Sequence, residues 1–65
     1  MATTRSEAIQ ALPYGAKWSC SFGNPGEGGY VEYYRAPDGR RWQVSNGPYY
    51  LCSFNLDWRA KKLDG

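Results

Sequence analysis

The side chains of this sequence that could do chemistry are two cysteines and six carboxylates, and there is no histidine. Without histidine the chain lacks the commonest general base and the commonest metal ligand. Cys20 and Cys52 therefore have no imidazole to activate a thiolate, and they fall short of the four ligands of a structural zinc site. We expect no catalysis, no bound metal and no cofactor.

The carboxylates show no paired spacing of the kind that general acid–base catalysis uses. Asp38 belongs to a turn, and only Glu32 falls where its surroundings should shift its pKa. Glu32 lies on the predicted core face of a strand, so it must either sit at the strand edge or pair with an arginine. The other carboxylates are Glu7, Glu27, Asp57 and Asp64.

The two cysteines leave their redox state open. A disulfide between Cys20 and Cys52 would close a loop of about thirty residues and stabilise the fold by roughly 3–4 kcal/mol. The sequence shows no export signal and no apolar run long enough to cross a membrane. We therefore expect a cytoplasmic protein in which both thiols are reduced and act as small apolar side chains.

Residues 23–29 contain four glycines and one proline, a composition shared with phosphate-binding loops. Such loops open a helix, and the Walker pattern also needs a lysine followed by serine or threonine. Here the next segment, from Tyr30, is rich in aromatic and β-branched residues and is typical of a strand. We interpret residues 23–29 as a flexible connection.

A chain of 65 residues forms one small domain, residues 1–65, which buries only roughly 60% of its unfolded surface. Three tryptophans, six tyrosines and two phenylalanines supply the core that its few aliphatic residues could not build. Thr4 and Glu7 have the spacing of a capping box, and Pro13 must end the helix that they begin. The sequence therefore predicts a helix over residues 4–12.

Alternation and turn residues predict an antiparallel sheet after this helix. Trp18, Cys20 and Phe22 alternate with polar residues, which indicates a half-buried strand over 17–22. Turn signals at residues 37–39 and 46–47 predict hairpins joining strands over 30–35, 40–45 and 49–54. Residues 55–63 form either a short C-terminal helix or turn, which we favour, or a continuation of the last strand.

The predicted fold class is α+β: a short N-terminal helix packed on a small antiparallel sheet, which is a three-stranded meander plus one further strand. The turn at 37–39 places Tyr34 opposite Trp42 and Glu32 opposite Val44. A two-residue turn at 46–47 would add the last strand to this pair. The predicted core face then collects Tyr34, Trp42, Val44, Tyr49 and Leu51, and the opposite face collects Val31, Tyr33, Arg35, Arg41, Gln43, Tyr50 and Cys52.

The second face is the candidate functional surface. Arg35 and Arg41 lie directly opposite one another there, an arrangement that destabilises a sheet, and tyrosines flank them. Arginine and tyrosine are enriched at binding hot spots. We assign partner binding to Tyr33, Arg35, Arg41, Gln43 and Tyr50, with a secondary basic patch at Arg59, Lys61 and Lys62. The alternative is that strand 17–22 or the C-terminal segment covers this face.

The first functional hypothesis is a non-enzymatic module that binds or inhibits a protein. More tyrosines and tryptophans are present than one small core can hide, and the formal charge of +2 is modest. In size and style the chain resembles the small proteins with which bacteriophages occupy host machinery. A homodimer formed through an open sheet edge or face is a variant of this hypothesis.

The second hypothesis is nucleic-acid binding through the same sheet. Over residues 30–63 the order strand–strand–strand–helix resembles sheet-reading DNA-binding domains of the AP2-like and integrase arm-binding type. The resemblance implies that Arg35, Arg41 and Gln43 would enter the major groove. Single strands would instead stack on Tyr33 and Tyr50. The modest basic excess places this hypothesis second.

Overall fold

The fold, given by a computed structural model that describes residues 4–63, contains one α-helix and an antiparallel sheet of four strands. The strands follow one another across the sheet in chain order, β1-β2-β3-β4. This confirms an α+β domain with a small antiparallel sheet. The elements are α1 (Arg5–Gln10), β1 (Lys17–Phe22), β2 (Val31–Arg35), β3 (Arg41–Ser45), a short 3₁₀ helix (Ser53–Asn55) and β4 (Arg59–Lys62).

Helix α1 begins where the capping signal predicts and ends earlier than expected. The side-chain oxygen of Thr4 accepts a hydrogen bond from the backbone N–H of Glu7 at 3.2 Å. The helix ends at Gln10 instead of residue 12, and one further turn bond, from Leu12 N–H to the carbonyl of Ile9, leads into Pro13. A helix of six residues is marginal alone, so tertiary contacts must hold it.

The β2–β3 hairpin has the predicted register. Tyr34 pairs with Trp42 and Glu32 with Val44. At the turn, the N–H of Gly39 donates to the carbonyl of Ala36 at 3.0 Å, and Gly39 has a φ of +86°. Only glycine adopts this backbone conformation without strain, which is why the turn residues predicted the hairpin correctly.

The second predicted hairpin is wrong. Residues 46–47 do not form a two-residue turn, and residues 49–54 form a turn and the start of the 3₁₀ helix instead of a strand. Tyr49, expected in the core, is 83% exposed, and Leu51 does not lie opposite Trp42. Asn46, the asparagine that suggested the turn, does not form one. Its side chain is buried and makes hydrogen bonds to the backbone of other segments.

Strand β4 takes the place of the predicted C-terminal helix. Ala60 pairs with Val44 and Lys62 with Trp42, so β4 completes the ladder along the free edge of β3. Satisfying the backbone groups of β3 outweighs the helical preference of residues 55–63. The strand–strand–strand–helix order of the AP2-like domains is therefore not present in residues 30–63.

Asn46 holds the glycine-rich segment against the sheet. Its side chain has 0% exposure; the oxygen accepts from Tyr30 N–H at 3.0 Å, and the amide donates to the carbonyl of Glu27 at 2.6 Å. A Cβ on Gly28 would lie 2.0 Å from the carbonyl oxygen of Pro48, so residue 28 has to be glycine for the two loops to approach. The flexibility of residues 23–29 stays a prediction.

The core lies on one side of the sheet, which we call the inner face. Two rows of paired strand residues define this face: one contains Glu32 and Val44, and the other contains Tyr34 and Trp42. Helix α1 contributes Ala8, which is 3% exposed. The buried apolar cluster consists of Ala8, Tyr30, Tyr34, Val44 and Trp58.

Candidate binding surface

The opposite side of the sheet, which we call the outer face, is defined by the pairing register. Directly paired residues share a face, and three rows therefore cross the strands. The first row is Lys17, Arg35 and Arg41. The second row is Cys20, Tyr33, Gln43 and Lys61. The third row is Phe22, Val31, Ser45 and Arg59.

A β-bulge in β1 decides which side chains join this face. The register shifts between Trp18 and Cys20, so Ser19 is an extra residue in β1. Trp18 consequently lies in the row of Tyr34 on the inner face, and the expectation that it shares a face with Cys20 and Phe22 is wrong. The same shift brings Lys17 beside Arg35 on the outer face, because one inserted residue reverses the alternation.

The first row places three cations on neighbouring strands. Arg35 pairs with both Lys17 and Arg41, and all three are exposed. Strands lie about 4.8 Å apart, and like charges directly opposite destabilise a sheet by tenths of a kcal/mol. Arg59 and Lys61 add two cations from β4, and Arg59 is paired with Asp57 at 2.8 Å. In the strands as described, no carboxylate lies in these three rows.

A shallow depression lies beside the cationic row. Its volume is about 490 Å³. The rings of Phe22 and Tyr33 meet edge to face within it, with centroids 6.1 Å apart and planes at 72°. The amide of Gln43 donates to the hydroxyl of Tyr33 at 3.4 Å, which is a long hydrogen bond. The depression is lined by Ser19, Cys20, Phe22, Tyr33, Arg35 and Arg41.

The structure brings together four of the five predicted partner-binding residues. Tyr33, Arg35, Arg41 and Gln43 lie in adjacent rows of the outer face. Tyr50 does not join them, because it belongs to the turn after β3, where its ring contacts that of Tyr49 at 5.8 Å. Cys52, expected on the same face, lies in the same connection and is exposed.

The secondary basic patch divides between the two faces. Because residues 59–62 form a strand, alternate side chains point to opposite sides. Lys61 and Arg59 lie in rows of the outer face, whereas Lys62 pairs with Trp42 on the other side. A helix over 55–63 would have grouped these cations differently, so the predicted patch does not form as a unit.

The alternative in which strand 17–22 or the C-terminal segment covers the outer face is not found among the described residues. Strand β1 lies beside β2 and β4 lies beside β3, so both widen the sheet. Phe22 is 61% exposed on it. Sequence reasoning missed Phe22 and Lys17 as members of the surface, and no local signal marks them because the alternation of β1 continues unbroken through the bulge.

On the inner face, Glu32 is paired with Arg5, which is one of the two arrangements that the sequence left open for it. The carboxylate is 2% exposed and receives Nε of Arg5 at 2.9 Å, Nη2 of Arg5 at 2.7 Å and the hydroxyl of Tyr30 at 2.9 Å. Burial alone would raise the pKa of Glu32, but the hydrogen bonds from Arg5 and Tyr30 outweigh burial and lower it. A carboxylate with its acceptor sites filled in this way is structural.

The described residues contain no group of three histidine, cysteine, aspartate or glutamate side chains placed to hold a metal ion. Cys20 and Cys52 are both free thiols, and Cys20 is half-buried on the outer face. Between residues 4 and 63, no helix has the length and apolar character needed to cross a membrane.

Comparison with known proteins gives no relative: no family model, curated protein or solved structure matches this chain. The outer face is therefore interpreted from its own geometry and charge.

Proposed function

We propose that the protein is a small, non-enzymatic binding module whose outer face binds an acidic surface of a protein partner. The observation that carries this proposal is the direct pairing of Lys17 with Arg35, two exposed cations on neighbouring strands of the outer face. A pair of like charges directly opposite one another weakens a sheet, and the repulsion is relieved when opposite charge is brought to it.

The distribution of charge favours an acidic partner more strongly than the net charge of +2 suggests. Two acidic side chains are paired with arginines outside the three rows. Glu32 is bound to Arg5 on the inner face, and Asp38 is 3.9 Å from Arg40 at the hairpin turn. The positive charge of Lys17, Arg35 and Lys61 is thus concentrated on one open side of the sheet, where it attracts and orients a negatively charged surface.

The outer face also offers the side chains that anchor protein interfaces. The ring of Phe22 is largely exposed next to Tyr33, and Arg35 borders the same depression. Aromatic rings and arginine contribute most of the binding energy at typical interfaces because they bury large area and form several directed hydrogen bonds. A homodimer through this face is disfavoured, because two copies would bring like charges together.

Site-specific photocross-linking tests this proposal. A photoreactive phenylalanine analogue replaces Phe22 on the outer face. As a control, the same analogue replaces Gln10, an exposed residue of α1. In a lysate of the source organism we expect a saturable adduct with an acidic protein from position 22 only. The adduct should disappear when Arg35→Gln and Lys61→Gln are combined. An adduct that forms equally from both positions, or that survives the double substitution, would contradict the proposal.

Nucleic-acid binding is a second candidate, because the same face combines cations with the Phe22 and Tyr33 rings. It ranks second because rings at 72° do not offer parallel faces on which successive bases could stack. Fluorescence anisotropy with single-stranded and duplex DNA at two salt concentrations separates the candidates. Tight binding with a steep salt dependence would favour nucleic acid, whereas absence of binding at tens of micromolar in low salt rejects it.

A further inference from the structure

We infer that the outer face recognises an extended acidic peptide segment with one apolar anchor. The anchor enters the depression beside Cys20, Phe22 and Tyr33, and carboxylates further along the segment meet Arg35 and Lys17. This inference rests on the proposed function and specifies which part of the partner makes contact.

Two depressions share Arg35 as a lining residue, and together we call them the trough. The first, of about 490 Å³, contains Phe22 and Cys20 at one end and Arg35 at the other. The second, of about 440 Å³, is lined by Gly15, Lys17, Arg35, Ala36 and Pro37. Arg35 lines both, so the two depressions are neighbours, with Phe22 and Cys20 in one and Lys17 in the other.

The spacing of the trough matches that of an extended chain. Tyr33 and Arg35 are two residues apart on β2, which separates their side chains by about 6.6 Å along the strand. Side chains at positions i and i+2 of an extended peptide have the same separation and point the same way. An apolar residue over Tyr33 therefore places a carboxylate at i+2 over Arg35 and another at i+4 toward the second depression.

The ends of the trough differ in a way that fits a peptide better than a nucleic-acid strand. A nucleic acid repeats its phosphate at every nucleotide, so it needs cations along its whole path. Along the trough the cations lie in the first row, and the other end presents Phe22 and Val31. Lys61 and Arg59 lie on β4, two strands away from β2. Arg35 suits a carboxylate, because a guanidinium binds both of its oxygens.

The test uses a labelled eight-residue peptide in which phenylalanine is followed by glutamates at i+2 and i+4 and the remaining positions are serine. Its binding is measured by fluorescence anisotropy against the wild-type protein. A peptide of the same composition with the phenylalanine and glutamates adjacent is the sequence control, and octathymidylate is the nucleic-acid control. Arg35→Gln is the test variant, and Arg59→Gln removes the same charge from the far strand.

We expect the alternating peptide to bind better than both controls. Arg35→Gln should weaken its binding about tenfold, the effect of losing a charge-assisted hydrogen bond, and Arg59→Gln less than about twofold. Bound peptide should also slow alkylation of Cys20, which lines the trough, and leave alkylation of the exposed Cys52 unchanged. Circular dichroism checks that both variants are folded.

Three outcomes would overturn the inference: equal binding of the adjacent-residue peptide, tighter binding of octathymidylate, or alkylation of Cys20 that the peptide does not slow. If these occur while the cross-link from position 22 persists, the proposed function stands and only the peptide inference fails. Loss of both results would show that the outer face is not a binding surface.

Discussion

The two faces of this sheet carry the same kinds of side chain in different roles. On the inner face a guanidinium, a carboxylate and a phenol meet as Arg5, Glu32 and Tyr30, and each charge is neutralised within the chain. On the outer face Arg35 lies beside other cations and a half-buried Tyr33. Completed polar contacts on one face stabilise the fold, and the exposed cations Lys17 and Arg35 on the other are available to a partner.

The role of an arginine or a tyrosine in this sheet depends on the side chains around it and not on its residue type. Buried side-chain nitrogen and oxygen atoms in the described part of the chain all have a hydrogen-bond partner. Removing one of these contacts should therefore cost stability and leave the outer face intact. Removing a cation of the outer face should cost binding while the fold is retained.

The largest effect on stability is expected from Asn46→Ala. The substitution leaves Tyr30 N–H and the carbonyl of Glu27 without their side-chain partner at a fully buried site. The free energy of unfolding should fall by about 3 kcal/mol, since each unsatisfied buried group costs about 1–3 kcal/mol. Urea denaturation followed by circular dichroism measures the change.

Asn24→Ala provides a matched control for Asn46→Ala. Asn24 lies in the glycine-rich segment that Asn46 contacts, and its side chain accepts one hydrogen bond, from Gly26 N–H at 2.9 Å, at an exposed turn. Because water replaces that contact, the loss should be less than about 1 kcal/mol. Equal losses from the two substitutions would show that Asn46 does not connect the loop to the sheet as described.

Arg5→Gln should give the next largest loss. It removes two charge-assisted hydrogen bonds from a carboxylate that remains buried, at a cost of about 2 kcal/mol, which allows for the half-exposed guanidinium. Glu32→Gln should cost less, because the guanidinium it leaves behind can reach water. Thermal unfolding of the two variants checks the order, and a larger loss from Glu32→Gln would contradict it.

The same contact predicts acid sensitivity. The pKa of Glu32 is lower in the folded protein than its ordinary value of 4.5, so the unfolded chain binds more protons. The contribution of Glu32 to stability is complete above pH 4.5 and is lost as the pH falls through the folded-state pKa. Urea midpoints measured on acidification should drop less in Glu32→Gln than in the wild type. If the urea midpoints of the two proteins fell in parallel with pH, the result would contradict this role of Glu32.

The parts of the fold that local residue patterns could predict are those that local chemistry determines. Thr4 caps α1, and the turn at 37–39 sets the register of β2 and β3. The prediction failed after Ser45, where the asparagine–glycine pair suggested a local turn. Long-range contacts decide that region: the Asn46 side chain bonds residues far away in the sequence, and β4 pairs with an edge that only the folded sheet presents.

The candidate surface could be predicted to the extent that it lies on that hairpin. Tyr33, Arg35, Arg41 and Gln43 follow from the register, whereas Lys17 depends on a bulge that leaves no mark in the alternation of β1. Likewise, Glu32 could be recognised as a carboxylate that needs a partner. The identity of the partner, Arg5, depends on how the helix packs, which residue spacing alone does not determine.

The smallest expected effect is the one that best separates the two faces. Arg35→Gln relieves repulsion from Lys17, so it should stabilise the protein by about 0.3 kcal/mol in low salt, and salt should diminish the gain. Arg59→Gln removes an exposed ion pair with Asp57 and should instead leave stability unchanged or lower it by up to about 0.5 kcal/mol. Replicate urea titrations at two salt concentrations resolve this difference in sign.

A stabilising Arg35→Gln that also loses the cross-link from position 22 would indicate that the cationic row is retained for binding at the expense of stability. A destabilising Arg35→Gln would mean that Arg35 supports the fold. That result would contradict the assignment of Arg35 to binding.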